Sequence, residues 1–448
     1  MTRALSLWLG ALALGVSPVA RAQAAPPAVA APAAPAEDGD EVTTENDSEG
    51  YTPPPEGSAS APSVVLGGYV DVGFANAQGD GTSYPPGDTR LPADYGVDTF
   101  ATAVNSRGDV ASIASGGRFT NGFLPHTVNI GGRPSFLINT VAADLKYTSP
   151  SAPLMIFTRV LALPRFGPSG DATRVIVEQA FGRVVPFDAL ELALAAGKFD
   201  SVFGIEYLDN EANIRTGITP SLIARYTTGQ SVGAKLFYRL QLAPLWSALS
   251  INVAVTNSGT FVDALQTPDI SLTGVPVGSA RLGYELNLRR VQVKVGASGM
   301  YGVRNDQSDR GARQQAVGGD LRVALFGVYL NAEVIKVDEG TGGPKSNDSG
   351  SFMLASEFHG RGFYGQLAYA LAVDAGPLRK LTPYVRYEQR HAWFEGFTPL
   401  TVARITGGLR VDLWESLILK AELLVNQELA GAPQVANNVT TVSAVYSW

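Results

Sequence analysis

The sequence predicts an all-β chain closed into a transmembrane antiparallel β-barrel of sixteen strands, with short periplasmic turns and long extracellular loops. Three observations carry that prediction. Apolar and polar residues alternate with period two through most of the chain after residue 63, as strands with two unlike faces do. The links between these segments are by turns tight and long, the layout of a barrel that crosses an outer membrane. An export signal opens the chain, yet no later window approaches the roughly 20 apolar residues that a spanning helix needs.

The signal is "MTRALSLWLGALALGVSPVARAQA", residues 1–24, with basic Arg3, an apolar run from Leu5 to Val16, and small residues at Ala20, Ala22 and Ala24 that suit cleavage. Residues 25–62 are Ala/Pro-rich and then acidic, "AEDGDEVTTENDSEG" running on to "YTPPPEGSASAP". Such a segment has too little aliphatic surface to fold and is expected to be a disordered periplasmic linker. The barrel then takes residues 63–448.

The 448 residues are 45% hydrophobic and 17% charged, with a formal net charge of −7. Without the two signal arginines and the eight linker acids, 32 basic residues face 33 acidic ones. The folded part is therefore nearly neutral, and no nucleic-acid partner is expected. The absence of Cys excludes disulfides, thiolate metal sites and a lipidated cysteine.

Alternation is cleanest in "SVGAKLFYRLQ", where Val232, Ala234, Leu236, Tyr238 and Leu240 share one face and Lys235, Phe237 and Arg239 the other. "SARLGYELNLR" repeats it with Leu282, Tyr284, Leu286 and Leu288 against Arg281, Glu285 and Arg289. Strands are expected at 64–74, 136–148, 153–164, 174–185, 190–199, 230–241, 248–257, 277–289, 291–302, 316–326, 328–337, 363–373, 383–391, 402–413, 416–426 and 439–448. "SFMLASEFHG" (351–360) also alternates, but a seventeenth strand would throw later long loops onto the short-turn rim, so it is assigned to an extracellular loop.

Lipid offers no hydrogen bonds, so a spanning sheet can leave no edge open. "VVLGGYVDVGF" must then pair with the last strand, "TTVSAVYSW". That places Val442, Ala444, Tyr446 and Trp448 toward lipid and Ser443 and Ser447 toward the interior.

Several stretches resemble the Gram-negative outer-membrane porins, within them the OmpL-like and phosphate-selective types: "GGYVDVGF" (67–74), "VEQAFG" (177–182), "AAGKFDSVFGIE" (195–206), "TPYVRYEQR" (382–390), "TGGLRVDL" (406–413), "LKAELL" (419–424) and the terminal aromatic. Their order along the chain carries more than any one of them. The resemblance implies a homotrimer of diffusion channels, each narrowed by the loop after "GKF" folding inward, and a last strand, with Tyr446 and Trp448, read by the barrel-assembly machinery. Outer-membrane lipid, lipopolysaccharide and small hydrophilic solutes are the implied partners. A lysine cluster like that of phosphate-selective relatives is missing, so phosphate specificity is not implied.

With the apolar positions facing lipid, the opposite wall carries Arg159, Glu178, Glu191, Lys235, Arg239, Arg281, Glu285, Arg289, Lys294, Asp320, Arg322, Glu333, Arg386, Glu388, Arg390, Arg404, Arg410, Asp412, Lys420 and Glu422. An Arg or Lys facing lipid at mid-depth costs roughly 2–4 kcal/mol, so these charges call for a wet interior. The loop "DSVFGIEYLDNEANIRTGITPSLIAR" holds Asp200, Glu206, Asp209, Glu211, Arg215 and Arg225. Folded inward, it would set its carboxylates against the basic wall and create a transverse field across a constriction. The alternative is a solvated loop whose charges pair locally.

Passive diffusion of small hydrophilic solutes or ions is the function these features suggest. A barrel enzyme would need His beside Asp or Ser; His126, His359 and His391 are present, but no catalytic spacing accompanies them. A closed structural or adhesive barrel is the third reading, with the 75–135 loop as its cap. "NDQSDRG" (305–311) has its Gly misplaced for a calcium loop and lacks the closing Glu. No P-loop or Rossmann spacing occurs, so no cofactor or metal is expected.

Overall fold

The computed structural model describes residues 62–77, 111–114, 118–123, 135–150, 152–163, 174–187, 190–200, 202–242, 246–257, 274–288, 290–304, 312–340, 357–394, 399–430 and 438–448. The expected signal and nearly all of the linker lie outside these residues, as do most of the 75–135 loop and its His126.

The barrel strands are β1 (Ser63–Ala77), β2 (Ser135–Thr148), β3 (Leu154–Leu163), β4 (Arg174–Val184), β5 (Glu191–Asp200), β6 (Gln230–Leu242), β7 (Ser247–Thr256) and β8 (Val277–Leu288). They continue as β9 (Val291–Arg304), β10 (Ala312–Leu325), β11 (Val328–Glu339), β12 (Phe358–Tyr369, resuming at Leu371–Ala375), β13 (Leu378–Phe394), β14 (Leu400–Leu413), β15 (Leu417–Glu428) and β16 (Val439–Ser447). Each pairs antiparallel with the next, and β1 pairs with both β2 and β16, which closes a sixteen-strand sheet. A separate two-stranded hairpin, Ala111–Ala114 with Arg118–Phe123, lies in the loop after β1.

Every expected strand is present, and several are longer than periodicity suggested. β9 and β10 run to Arg304 and from Ala312, which shortens the loop between them. β12 begins at Phe358, so the last three residues of "SFMLASEFHG" belong to a strand already counted. Residues 351–356 lie outside the described residues.

The seam has the expected register, Val70 opposite Tyr446 and Phe74 opposite Val442. Asp71 stitches it from inside, accepting from Asn139 on β2 (3.0 Å) and Ser443 on β16 (2.5 Å). Val442, Tyr446 and Trp448 are 41%, 52% and 55% exposed, while Thr441 and Ser443 are buried. The outer face of the other strands is likewise apolar, with Leu236, Leu282, Val334, Leu367 and Leu423 exposed. No water-soluble sheet has reason to show such a face all round.

Turns set the two rims apart. Phe326 (φ 49°) and Gly327 (φ 80°) make a two-residue turn, and Trp414 (φ 50°) opens another. Exposed Phe187, Trp246, Phe326, Tyr369, Trp414, Tyr446 and Trp448 all fall at this short-turn rim. Aromatic rings gather where one end can meet hydrocarbon and the other headgroups.

Candidate functional site: the inward loop and its wall

The segment between β5 and β6 would be unremarkable if it were solvated, but it is almost entirely buried. Phe203, Ile205, Tyr207, Leu222, Ile223 and Tyr226 are all within 2% of full burial. Phe203, Ile223 and Tyr226 pack with inward residues of the wall, among them Val277, Met300, Ile335, Val337 and Tyr364. The same segment bonds side chains on β3, β9, β10, β11, β13, β14 and β15. Only the interior of a closed barrel gives one segment access to so many strands.

A buried loop with little regular structure leaves its own N–H and C=O groups without partners, and each must find one. The wall supplies them by sign. Cationic side chains donate to carbonyls: Arg386 to Thr219 (2.8 Å) and Pro220 (3.1 Å), Arg404 to Pro220 (2.5 Å), Arg410 to Ile214 (2.8 Å) and Arg215 (3.2 Å), and Lys420 to Ala212, Arg215 and Gly217. Carboxylates accept from amides: Glu422 from Ile218 (2.7 Å) and Thr219 (3.0 Å), Glu388 from Leu222 (2.6 Å), and Glu333 from Ile205 (3.2 Å). The mixed signs of the wall thus match the two ends of the peptide group.

The expected constriction residues are placed as follows. Asp200 is the last residue of β5 and accepts from Gln179 (2.6 Å) and Gln230 (3.1 Å). Glu206 opens a single 3₁₀ turn, Glu206–Asp209, and accepts from the Ser221 amide (2.6 Å) and hydroxyl (2.5 Å) within the loop. Asp209 pairs with Arg322 at 2.9 Å. Glu211 pairs with Arg159, which also forks onto Asp144 (2.7 and 2.8 Å). Arg215 contributes its carbonyl. Arg225 lies in the short helix Ala224–Thr227, and its side chain lies outside the described residues.

Burial pushes the Glu211 carboxyl up to about 7 against the pull of Arg159, and burial raises Glu206 as well despite its bonds from Ser221.

The wall divides in two. Arg322, Arg386, Glu388 and their neighbours on β10 to β15 are taken up by the loop, and Arg390 lies over the Tyr226 ring (5.8 Å). Elsewhere Arg239 bridges Glu191 (2.9 Å) and Glu285 (3.4 Å), Lys294 approaches Glu285 (3.4 Å), Arg281 pairs with Asp320 (2.7 Å), and Lys235 lies over Phe199 (5.2 Å). Arg289 lies outside the described residues. The interior is less uniformly polar than the alternation implied, because Met155, Phe157, Phe181 and Phe199 pack on Val202 of the loop. Asp71, Asp144, Gln179, Ser298 and Tyr384 also hold the interior together and were not singled out from sequence. Of the histidines, His359 contacts Asp338 (2.6 Å), a carboxylate shared with Lys336, and His391 contacts Thr401 (2.7 Å).

The fold and this interior define a closed sixteen-strand barrel with a loop lodged inside it. No protein-family model matches the chain, and no curated protein matches it. Among solved structures, the outer-membrane channel DcaP of Acinetobacter baumannii is similar at 11% identity, over 87% of this chain and 99% of that one, with a TM-score of 0.49. An anion-selective porin from Comamonas acidovorans gives 11%, 87%, 100% and 0.47, and Salmonella typhi OmpF in complex with daunomycin gives 12%, 86%, 97% and 0.48. At these identities and scores the matches decide nothing about function, and the closure rests on strand register alone.

Proposed function

We propose that the protein is an outer-membrane porin, a water-filled channel for passive diffusion of small hydrophilic solutes or ions, working as a homotrimer. The observation that carries this reading is the 202–229 loop folded into a lipid-faced barrel and pinned there by the charged wall. A structural barrel closed by packing would not need this loop held by main-chain bonds to charged residues, each of which costs desolvation. The loop narrows the lumen, and solutes pass the wall it leaves uncovered, where Arg239, Glu191, Glu285 and Lys294 stand, while Lys235 is buried against Phe199.

Asp209 and Glu211 pair directly with Arg322 and Arg159, so these carboxylates anchor the loop to the wall rather than face it across water. Tyr446 and Trp448 act in recognition by the barrel-assembly machinery. Conductance of the purified protein in a planar bilayer tests the reading. Discrete steps are expected, with a reversal potential under a salt gradient that reports ion preference; folded protein that inserts without steps refutes it.

A further inference from the structure

The 202–229 loop reaches round the whole circumference of the barrel. Buried apolar side chains of the interior form three clusters, and the loop has a residue in each: Phe203, Ile223 and Tyr226 in the first, Val202 in the second and Ala212 in the third. Their wall members come from β8 to β13, from β3, β4, β5 and β7, and from β1, β2, β3, β15 and β16. Arg404 adds β14 through its bond to the Pro220 carbonyl. A loop that only narrows a passage lies along one arc of the wall and leaves the rest to water. Among the described residues this loop leaves no such arc, because each of the sixteen strands carries an inward side chain no more than 9% exposed.

What water does reach lies on one side of the loop. Its half-buried positions are 208–210 and 213–216. Asp209 is held there by Arg322, and the carbonyls of Ile214 and Arg215 by Arg410, both close to the short-turn ends of their strands. The half-buried charges Glu191, Arg239, Glu285 and Lys294 stand toward the same rim. The loop thus roofs a chamber that opens at the short-turn rim. The wall behind it is nonetheless charged, with Arg386, Glu388, Arg404, Lys420 and Glu422 all 3% exposed or less. Burying ionised groups forgoes their hydration, a cost that a permanent plug on an apolar wall would not carry.

We propose that the loop is a reversible plug: seated, it shuts the barrel, and solutes cross when it leaves the charged wall of β13 to β15, which then lines the open passage. The inference rests on the channel reading above and sets its resting state. The chamber wall with Arg239, Glu285 and Lys294 is the short-turn end of the same route. Charges on a surface that is wet for part of the time recover their hydration in that state. The seat suits release, because peptide groups and wall charges exchange one another for water at a small net change in free energy. Seated and unseated loops are then two populations of one molecule, and whatever weakens the seat shifts the balance toward the open one.

The chain has no cysteine, so a single introduced thiol reports water access at its position. Thr406, opposite Arg386 on β14, is fully buried behind the loop, whereas the Lys294 side chain is 39% exposed in the chamber. Thr406→Cys and Lys294→Cys in the full chain are inserted in planar bilayers and treated with a small, neutral, hydrophilic methanethiosulfonate while current is recorded. The Thr406→Cys thiol is expected to react at least tenfold more slowly than that of Lys294→Cys, in proportion to the time spent conducting, and its reaction should leave the channel unable to close. Adding Phe203→Ala, or Ile223→Ala if that barrel fails to assemble, weakens the seat and should raise both the open fraction and the labelling rate at Thr406→Cys. A Thr406→Cys thiol that stays unreactive through sustained conduction overturns the proposal, since the loop then never leaves. So does reaction as fast as at Lys294→Cys, since the wall is then open at rest. Labelling of Thr406→Cys in bilayers that carry no current would count against the channel reading alone, and the absence of both labelling and current overturns the two together.

Discussion

Arg404 and Glu388 lie side by side on β14 and β13, Nε to Oε1 at 2.6 Å, both sealed from solvent. Glu388 also accepts from Arg386 (3.2 Å) and from the Leu222 amide, and both arginines pass their remaining donors to the carbonyl of Pro220. One carboxylate thus ties two cations and the loop into a single unit.

Glu388→Ala would leave two buried guanidinium groups uncompensated, which costs about 3–5 kcal/mol. The expected result is a lower unfolding temperature in detergent and a noisier open channel. Glu388→Gln, which keeps an acceptor for Leu222, should fall between the variant and the wild type in both measurements.

Gly204 has φ 80° and donates its amide to Ser298 Oγ (3.1 Å), and a Cβ there would run into the Glu333 carboxylate and Thr227. Gly204→Ala therefore combines a left-handed backbone penalty of about 1–2 kcal/mol with a collision. Faster cleavage of the loop by added protease and larger current fluctuations are expected. Gly365→Ala, where a Cβ meets nothing within 4 Å, serves as the control and should behave as wild type.

Glu211 titrates at about 7 in the folded chain against 4.5 for the ordinary carboxyl. Between those values the folded state holds a proton that the unfolded state has released, so this group makes stability fall as pH rises from about 4.5 through 7. Glu211→Gln removes that dependence. The stability of the variant relative to wild type should rise across this window, read from urea midpoints at pH 4.5, 6 and 8; a constant difference would remove the assignment.

Trp448 donates its amide to the Gly68 carbonyl (3.2 Å) and stacks on Tyr446 with ring centroids 6.3 Å apart. Trp448→Ala should lower the yield of heat-modifiable, membrane-inserted barrel while the single-channel conductance of the barrels that assemble stays unchanged. Altered conductance at normal yield would place the residue in permeation.

The strands were legible because one period-two rule governs every segment with lipid on one side and polar interior on the other. Their upper ends were not: Arg313, Gln314, Asp338 and His359 continue the ladder beyond the apolar band, where alternation no longer distinguishes the faces. The loop's position could be guessed only by resemblance. Its contacts join residues as far apart as Ala212 and Lys420, 208 positions along the chain, and main-chain groups leave no mark in residue type. One signal was present: "VFGIEYL" and "SLIARY" are too apolar for a solvated loop. The pairing of wall charges with peptide groups was invisible for the same reason, so wall residues read as free lining proved to be partly scaffolding.

Because the wall holds the loop by its peptide groups as well as by its buried side chains, part of the anchorage is indifferent to which side chains the loop carries. Substitutions at the half-buried positions of the loop, 208–210 and 213–216, can change what the passage favours while the frame stays in place. The barrel is in this respect a fixed socket with an exchangeable insert, open to retuning one residue at a time by selection or by design.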